Sequence, residues 1–144
     1  TAELICDSVH VHPVAMKLLT RVKGSEKVVL VTDAIRAAGM PDGEYALGEK
    51  HILVKDGVSR LESGDFAGST LTMDRAVRNI MRLVGVSLQA AVKMATVNPA
   101  AVINVDKNKG SLEPGKDADI VIIDDKIIVY TTIVKGNTVY KANL

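Results

Sequence analysis

Lys27-Val28-Val29-Leu30-Val31-Thr32-Asp33-Ala34 is the stretch that decides the fold class of this chain. Its apolar run shows no alternation, so both faces of an extended segment here are expected to be buried, as in a parallel strand flanked by helices. The run ends on an acid, and Ala34-Ile35-Arg36-Ala37-Ala38-Gly39 leaves it as a loop rich in small residues. In parallel α/β proteins the carboxyl ends of the strands are where ligands meet the chain. A carboxylate delivered there by a rigid strand is well placed for proton transfer. The competing reading is that Asp33 caps a turn or helix, because Asp is a favoured N-cap. On spacing alone the cap is the better supported of the two.

Upstream, Thr1-Ala2-Glu3-Leu4-Ile5-Cys6-Asp7 opens on a strand-like run and leads to Asp7-Ser8-Val9-His10-Val11-His12-Pro13. Pro13 fits the first turn of a helix, with Val14, Met16, Leu18, Leu19 and Val22 as its apolar side and Lys17, Arg21 and Lys23 outside. Gly24 reads as the stop. Strand, helix and strand at this separation make a βαβ unit with parallel strands. His10 and His12, two apart in an extended segment, would point to one side and suggest a metal pair. A zinc site needs further ligands, and none follows at a recognisable spacing. Contact with a substrate, or a polar slot near the strand end, is the better expectation for at least one of them.

Downstream, Pro41-Asp42-Gly43 is a turn, and residues 44–63 read as an antiparallel excursion around Asp56-Gly57, a strong hairpin signal. His51 falls in it as an exposed strand residue. Phe66-Ala67-Gly68-Ser69-Thr70-Leu71-Thr72-Met73 follows, where small residues let backbone approach a ligand and Ser69 or Thr70 can cap the next helix. Leu71, Ala76, Val77, Ile80, Met81 and Val84 supply that helix's inner face, with Asp74, Arg75 and Arg78 at its rim. Gly85 ends it, Ser87 caps another, and Asn98-Pro99 is expected to cap and open a third. Beyond the turn residues of Lys109–Asp119, Ile120–Asp124 and a hairpin around Gly136-Asn137 form a β layer distinct from the βαβ part.

The bulk composition narrows the function classes. The 144 residues are 47% hydrophobic, enough for one domain core or a large piece of something bigger. A net charge of +1 gives no reason to expect nucleic acid or a membrane surface as partner. The single cysteine, Cys6, excludes an internal disulfide and suits a reducing cytoplasm. Aromatics are 3%, so stacking platforms for bases or sugars are scarce. No run is long enough to span a bilayer. The absence of an initiator methionine suggests a piece of a longer protein.

The segments Asp7–Pro13, Leu30–Ala34 and Ala67–Met73, with Arg75-Ala76-Val77-Arg78-Asn79, resemble the N-acetylglucosamine-6-phosphate deacetylases of the amidohydrolase superfamily. Asn98-Pro99-Ala100 and Gly110–Asp119 are similar to sequences spread more widely through that superfamily. The resemblance spans essentially the whole chain but corresponds only to the C-terminal part of the enzyme. It implies an α/β fold, the C-terminal portion of a (β/α)8 barrel with an inserted β-hairpin, plus part of a small β-sandwich domain. Residues 1–104 would belong to the barrel, with 44–63 inserted, and residues 105–144 to the small domain. Asp33 matches the catalytic aspartate, the general base and later acid acting on a metal-bound water. His10 matches a substrate-contacting histidine. Phe66, Ala67 and Gly68 match the segment bordering the sugar phosphate, and Ser8 stands where glycine is expected. The resemblance further implies a divalent metal, zinc or similar, whose ligands lie upstream of this chain. The parent would be a cytoplasmic homodimer that takes a phosphorylated amino sugar, and the piece alone would be inactive. Another amidohydrolase substrate, a cyclic amide or an aminopurine, and a non-catalytic folding or binding module are the alternatives.

Overall fold

The computed structural model describes residues 1–143. β1 (Ala2–Ile5), α1 (Pro13–Lys23) and β2 (Val28–Val31) form the βαβ unit, and the strands pair in parallel from Ala2↔Val28 to Ile5↔Val31. Val28, Val29 and Leu30 are all buried, as their uninterrupted apolar run requires. Val28 and Leu30 join Leu4, Cys6, Met16, Leu71, Ile80 and Met94 in one hydrophobic core.

α1 begins at Pro13 and stops at Gly24, whose N–H donates to the Thr20 carbonyl and whose φ is 75°. Its apolar residues are split between two faces. Met16 and Thr20 are buried and Leu19 half-buried, but Val14, Leu18 and Val22 lie on an exposed stripe, 66%, 63% and 73% accessible.

Beyond β2 the parallel pairing continues without a named strand. The Asp33 carbonyl accepts from Ser69 N at 2.8 Å, and the Ser69 carbonyl accepts from Ile35 N at 2.9 Å. Residues 66–71 therefore lie beside the end of β2. Between them the chain makes a three-stranded antiparallel sheet of β3 (Gly43–Leu47), β4 (Lys50–Lys55) and β5 (Val58–Leu61). Asp56 and Gly57 turn β4 into β5 with φ of 52° and 70°, the two positive values that a type I′ hairpin demands. The Asp42 carboxylate clamps this turn, accepting from Asp56 N at 2.5 Å and Gly57 N at 3.1 Å.

α2 (Met73–Val84) ends on left-handed Gly85, and α3 (Leu88–Ala95) is capped by Ser87, whose Oγ accepts from Ala90 N at 3.2 Å. Two capping expectations fail. The N-cap position of α2 is Thr72, because Ser69 Oγ is committed to the Thr32 carbonyl and Leu71 N, and Thr70 Oγ1 to the Gly57 carbonyl. α4 (Val97–Val102) starts at Val97 rather than at Pro99, with Thr96 instead of Asn98 at the cap position. Asn98 instead lies inside α4, and its buried Nδ2 donates to the carbonyls of Ser25 and Val28, both at 2.8 Å. That ties α4 to the entry of β2.

The last layer is the antiparallel sheet β6 (Ile120–Ile123), β7 (Val129–Val134) and β8 (Asn137–Lys141). It is fastened to the rest at one corner. Ile127, between β6 and β7, is buried in the main core. Arg78 of α2 donates to the carbonyls of Lys126 and Ile127, both at 3.0 Å, while pairing with Asp74 at 3.1 Å. Arg78 is thus a strut between two layers rather than a rim group.

Candidate functional site at the mouth of the parallel strands

Asp33 leaves β2 with φ of 49°, a left-handed conformation uncommon outside glycine. No helix among the described residues uses it as a cap; those positions are held by His12, Thr72, Ser87 and Thr96. Its side chain is exposed at the carboxyl end of the strand. Gly68 lies directly against it. A Cβ added to Gly68 would sit 2.7 Å from Ile35 Cγ2, 2.9 Å from the Asp33 carbonyl and 3.6 Å from Asp33 Oδ2. With φ of 60° as well, this position has room and conformation for glycine alone.

The segment carrying Gly68 is pinned from its other side by β5. Buried Ser59 points its Oγ at the carbonyls of Ala67 and Gly68, both at 2.9 Å, and Ala67 N donates to the Ser59 carbonyl at 3.2 Å. Arg60 and Phe66 bridge antiparallel, and the Arg60 guanidinium lies 4.3 Å from the centre of the Phe66 ring. Phe66 remains 42% exposed. Its ring centre is 4.8 Å from that of His10, with the planes at 41°.

His10 is held by the loop after β1. Asp7 Oδ1 accepts from Val9 N and His10 N, both at 2.9 Å, and Oδ2 sits 2.6 Å from His10 Nδ1. Ser8 takes φ of 67° to make this turn, a left-handed position where glycine would be relaxed. Burial works to raise the Asp7 carboxyl, but the backbone N–H and imidazole of His10, with Val9 N, outweigh it and hold the group below its ordinary value. Cys6 behaves oppositely. Burial, helped by the neighbouring Asp7 charge, pushes its thiol up to about 11, so it is an inert core group.

The structure thus brings Asp33 against Gly68, and His10 against Phe66, with Ala67 buried between them. It does not bring His10 and His12 together as a pair. Residues 7–12 turn instead of extending, so the two-residue repeat of a strand does not apply. His12 Nδ1 caps α1, accepting from Val14 N at 3.3 Å. Among the described residues no three potential ligands cluster to hold a metal ion. Asp7, Ser59 and Arg60 were not legible as site residues. For Asp7 the available signal was an acid three residues before a histidine, in a loop.

The model of the amidohydrolase family matches residues 2–139. The chain belongs to the amidohydrolase family. It is 42% identical over 142 residues to an N-acetylglucosamine-6-phosphate deacetylase of Lysinibacillus sphaericus, covering 99% of this chain and 36% of the relative. It is 46% identical over 134 residues to an N-acetylgalactosamine-6-phosphate deacetylase of Escherichia coli, covering 93% of this chain and 35% of the relative. A crystal structure of N-acetylglucosamine-6-phosphate deacetylase from Thermotoga maritima superposes with a TM-score of 0.91 at 41% identity, over 97% of this chain and 38% of that one. The chain spans little more than a third of the length of each of these three proteins.

Proposed function

We propose that this chain forms the proton-transfer and sugar-facing part of an enzyme that hydrolyses the acetamide of N-acetyl-D-glucosamine 6-phosphate to D-glucosamine 6-phosphate and acetate. The observation that carries the reading is Asp33. It is uncapping, exposed at the mouth of the parallel strands, and packed against a glycine-only position of the segment that also presents Phe66 to His10. Asp33 takes a proton from the attacking water as its oxygen adds to the acetamide carbon. It returns that proton to the nitrogen as the C–N bond breaks, so one group serves as base and then acid. The backbone of Phe66, Ala67 and Gly68 borders the sugar phosphate, and His10 contacts the sugar.

In this reading residues 1–104 are the C-terminal part of a (β/α)8 barrel, with 44–63 inserted, and residues 105–144 belong to a small β domain. The divalent metal of the reaction is held by ligands outside this chain, a reading supported by the lack of any cluster of three potential ligands among the described residues. The whole enzyme is a cytoplasmic homodimer.

The 46% identity to a protein named for N-acetylgalactosamine 6-phosphate makes the C4 epimer the second candidate substrate. Acetate release from both sugar phosphates by the longer enzyme, with and without Asp33→Asn, tests the proposal. Asn keeps the shape and removes the base, so kcat should fall by about 10²–10⁴-fold or more with KM nearly unchanged. A near-normal rate in Asp33→Asn would remove Asp33 from the mechanism. Absence of turnover of either sugar phosphate would remove the substrate class.

A further inference from the structure

We infer that Asp7 is a positioning residue that holds the His10 ring with Nδ1 as donor and Nε2 as a bare acceptor for a hydroxyl of the bound sugar. The inference rests on the reading that His10 faces the sugar, and it adds the reason the ring can do so in one defined state.

The hydrogen-bond inventory of the loop decides the tautomer. Asp7 Oδ1 already receives two backbone N–H groups, from Val9 and His10. Oδ2 is left for the ring, at 2.6 Å from Nδ1. A carboxylate accepts and does not donate, so the proton of that contact belongs to Nδ1. In a neutral imidazole, Nε2 then carries a lone pair.

The surroundings leave the ring little else to do. Asp7 and His10 are 10% and 18% exposed at their side chains. The Cys6 carbonyl, one residue before Asp7, is tied to α2 by Asn79 Nδ2 at 2.8 Å. Phe66 packs on the ring at 4.8 Å. One edge of the imidazole is therefore held by the carboxylate and the ring by an aromatic neighbour. A hydroxyl has the proton that a bare Nε2 needs. A phosphate oxygen without a proton does not, so the matching group is a hydroxyl of the sugar ring and not its phosphate.

Asp7→Asn tests this with little damage to the loop. The amide oxygen can still accept from Val9 and His10, but its NH2 group donates, which requires Nδ1 to become the acceptor and moves the ring proton to Nε2. Nitrogen-15 NMR of the imidazoles of the 144-residue chain, followed into alkaline solution until the ring shifts stop changing, should show His10 protonated at Nδ1 and Asp7→Asn protonated at Nε2. Protonation at Nε2 in the unsubstituted chain overturns the inference without need of any variant. In the longer enzyme Asp7→Asn should lower kcat/KM for the sugar phosphate by roughly ten- to hundredfold, the size of one charge-assisted hydrogen bond. The rates are measured at a temperature well below the variant's thermal midpoint, which falls by what the charged carboxylate contributes at that pH. A switched tautomer with unchanged kcat/KM would overturn the substrate-facing role. Failure of the unsubstituted enzyme to turn over either sugar phosphate would count against the proposed function, while the NMR result still decides what Asp7 does to His10.

Discussion

β2 and β6 are apolar runs of equal length with different surroundings. In β2, Val28, Val29 and Leu30 are buried, because β1 pairs along one edge and α2, α3 and α4 pack around it. In β6, Val121 and Ile122 are 54% and 50% exposed, and Val139 and Tyr140 of the same sheet are exposed too. The small sheet has its own antiparallel partners but is fastened to the core chiefly through Ile127 and Arg78. Hydrophobicity of a strand thus states what it can tolerate being covered by. Whether anything covers it is decided by elements elsewhere in the chain. Among the described residues β2 has a parallel partner and helices packed on it, whereas β6 has its partner in the antiparallel strand β7.

The sharpest way to break this comparison is a matched pair of truncations read by denaturant unfolding. Leu30→Ala removes a fully packed side chain and should cost about 2–5 kcal/mol. Ile122→Ala removes one that is already half in water and should cost less than about 1 kcal/mol. If the two substitutions cost the same, the small sheet has a cover that its own strands do not provide.

That difference also marks what was legible in the sequence. The βαβ unit, Pro13 at a helix start, Gly85 at a helix end and Ser87 as a cap depend on local chemistry, and local chemistry is what a single sequence states. Ser69, Thr70 and Asn98 looked like caps for the same reason. They are not, because each found a carbonyl from a distant segment: Thr32, Gly57, Ser25 and Val28. Those contacts span 13 to 73 positions and leave no periodic trace. In the candidate site, Asp33 and the Phe66–Gly68 segment could be singled out, but their packing could not. Nor could the stacking of Arg60 and His10 on Phe66, which requires the antiparallel excursion to fold back onto the strand mouth. The extended geometry expected for His10 and His12 fails because residues 7–12 form a turn, to which a strand period does not apply.

Gly68 and Asn98 are the next largest effects, and both test long-range contacts of the buried half. Gly68→Ala forces a Cβ to within 2.7 Å of Ile35 Cγ2 in a left-handed residue. The backbone term alone is about 1–2 kcal/mol, and the clash adds to it. In the longer enzyme activity should fall further than stability, since the residue that must give way is Ile35 or Asp33. Asn98→Ala leaves the Ser25 and Val28 carbonyls without their donor and should cost about 1–3 kcal/mol. Thermal unfolding of each variant checks both values. A neutral Gly68→Ala would mean that the segment can move away from Asp33.

Acid separates the two regions by the setting of their carboxylates. Asp7, in the βαβ half, and Asp119 and Asp124, in the small sheet, all sit below their ordinary values. For Asp7 burial opposes the bonds to His10 and Val9 that lower it; for Asp119 the leading cause is Lys109, and for Asp124 the backbone N–H of Ile128. A carboxyl lowered by folding stabilises fully above its unfolded value, about 4, and that stability is lost as pH falls through the lower folded value. Asp7→Asn should therefore flatten the acid limb of the stability curve below about pH 4 and do so equally at high salt. Asp119 is solvent-exposed beside Lys109, so the effect of Asp119→Asn should shrink as salt screens the pair. Equal salt sensitivity in both variants would mean that the Asp7 turn is as open to solvent as the surface pair.

The smallest effect is expected inside α1, where the covered and uncovered faces of one helix can be compared directly. Thr20 lies on the covered face, and its Oγ1 is buried without a hydrogen-bond partner among the described residues. Valine has nearly the same shape and a similar helix propensity, so Thr20→Val removes an unsatisfied hydroxyl and little else. A buried polar group left unpaired opposes folding, so its loss should be neutral or stabilising by up to about 1 kcal/mol. On the exposed stripe, Leu18→Gln should change stability by less than about 0.5 kcal/mol, because the side chain is already in water. A Thr20→Val variant destabilised by 1 kcal/mol or more would mean that the hydroxyl has a bound water as its partner. The covered face of α1 would then be wetter than the packing of Met16 and Thr20 against the core implies.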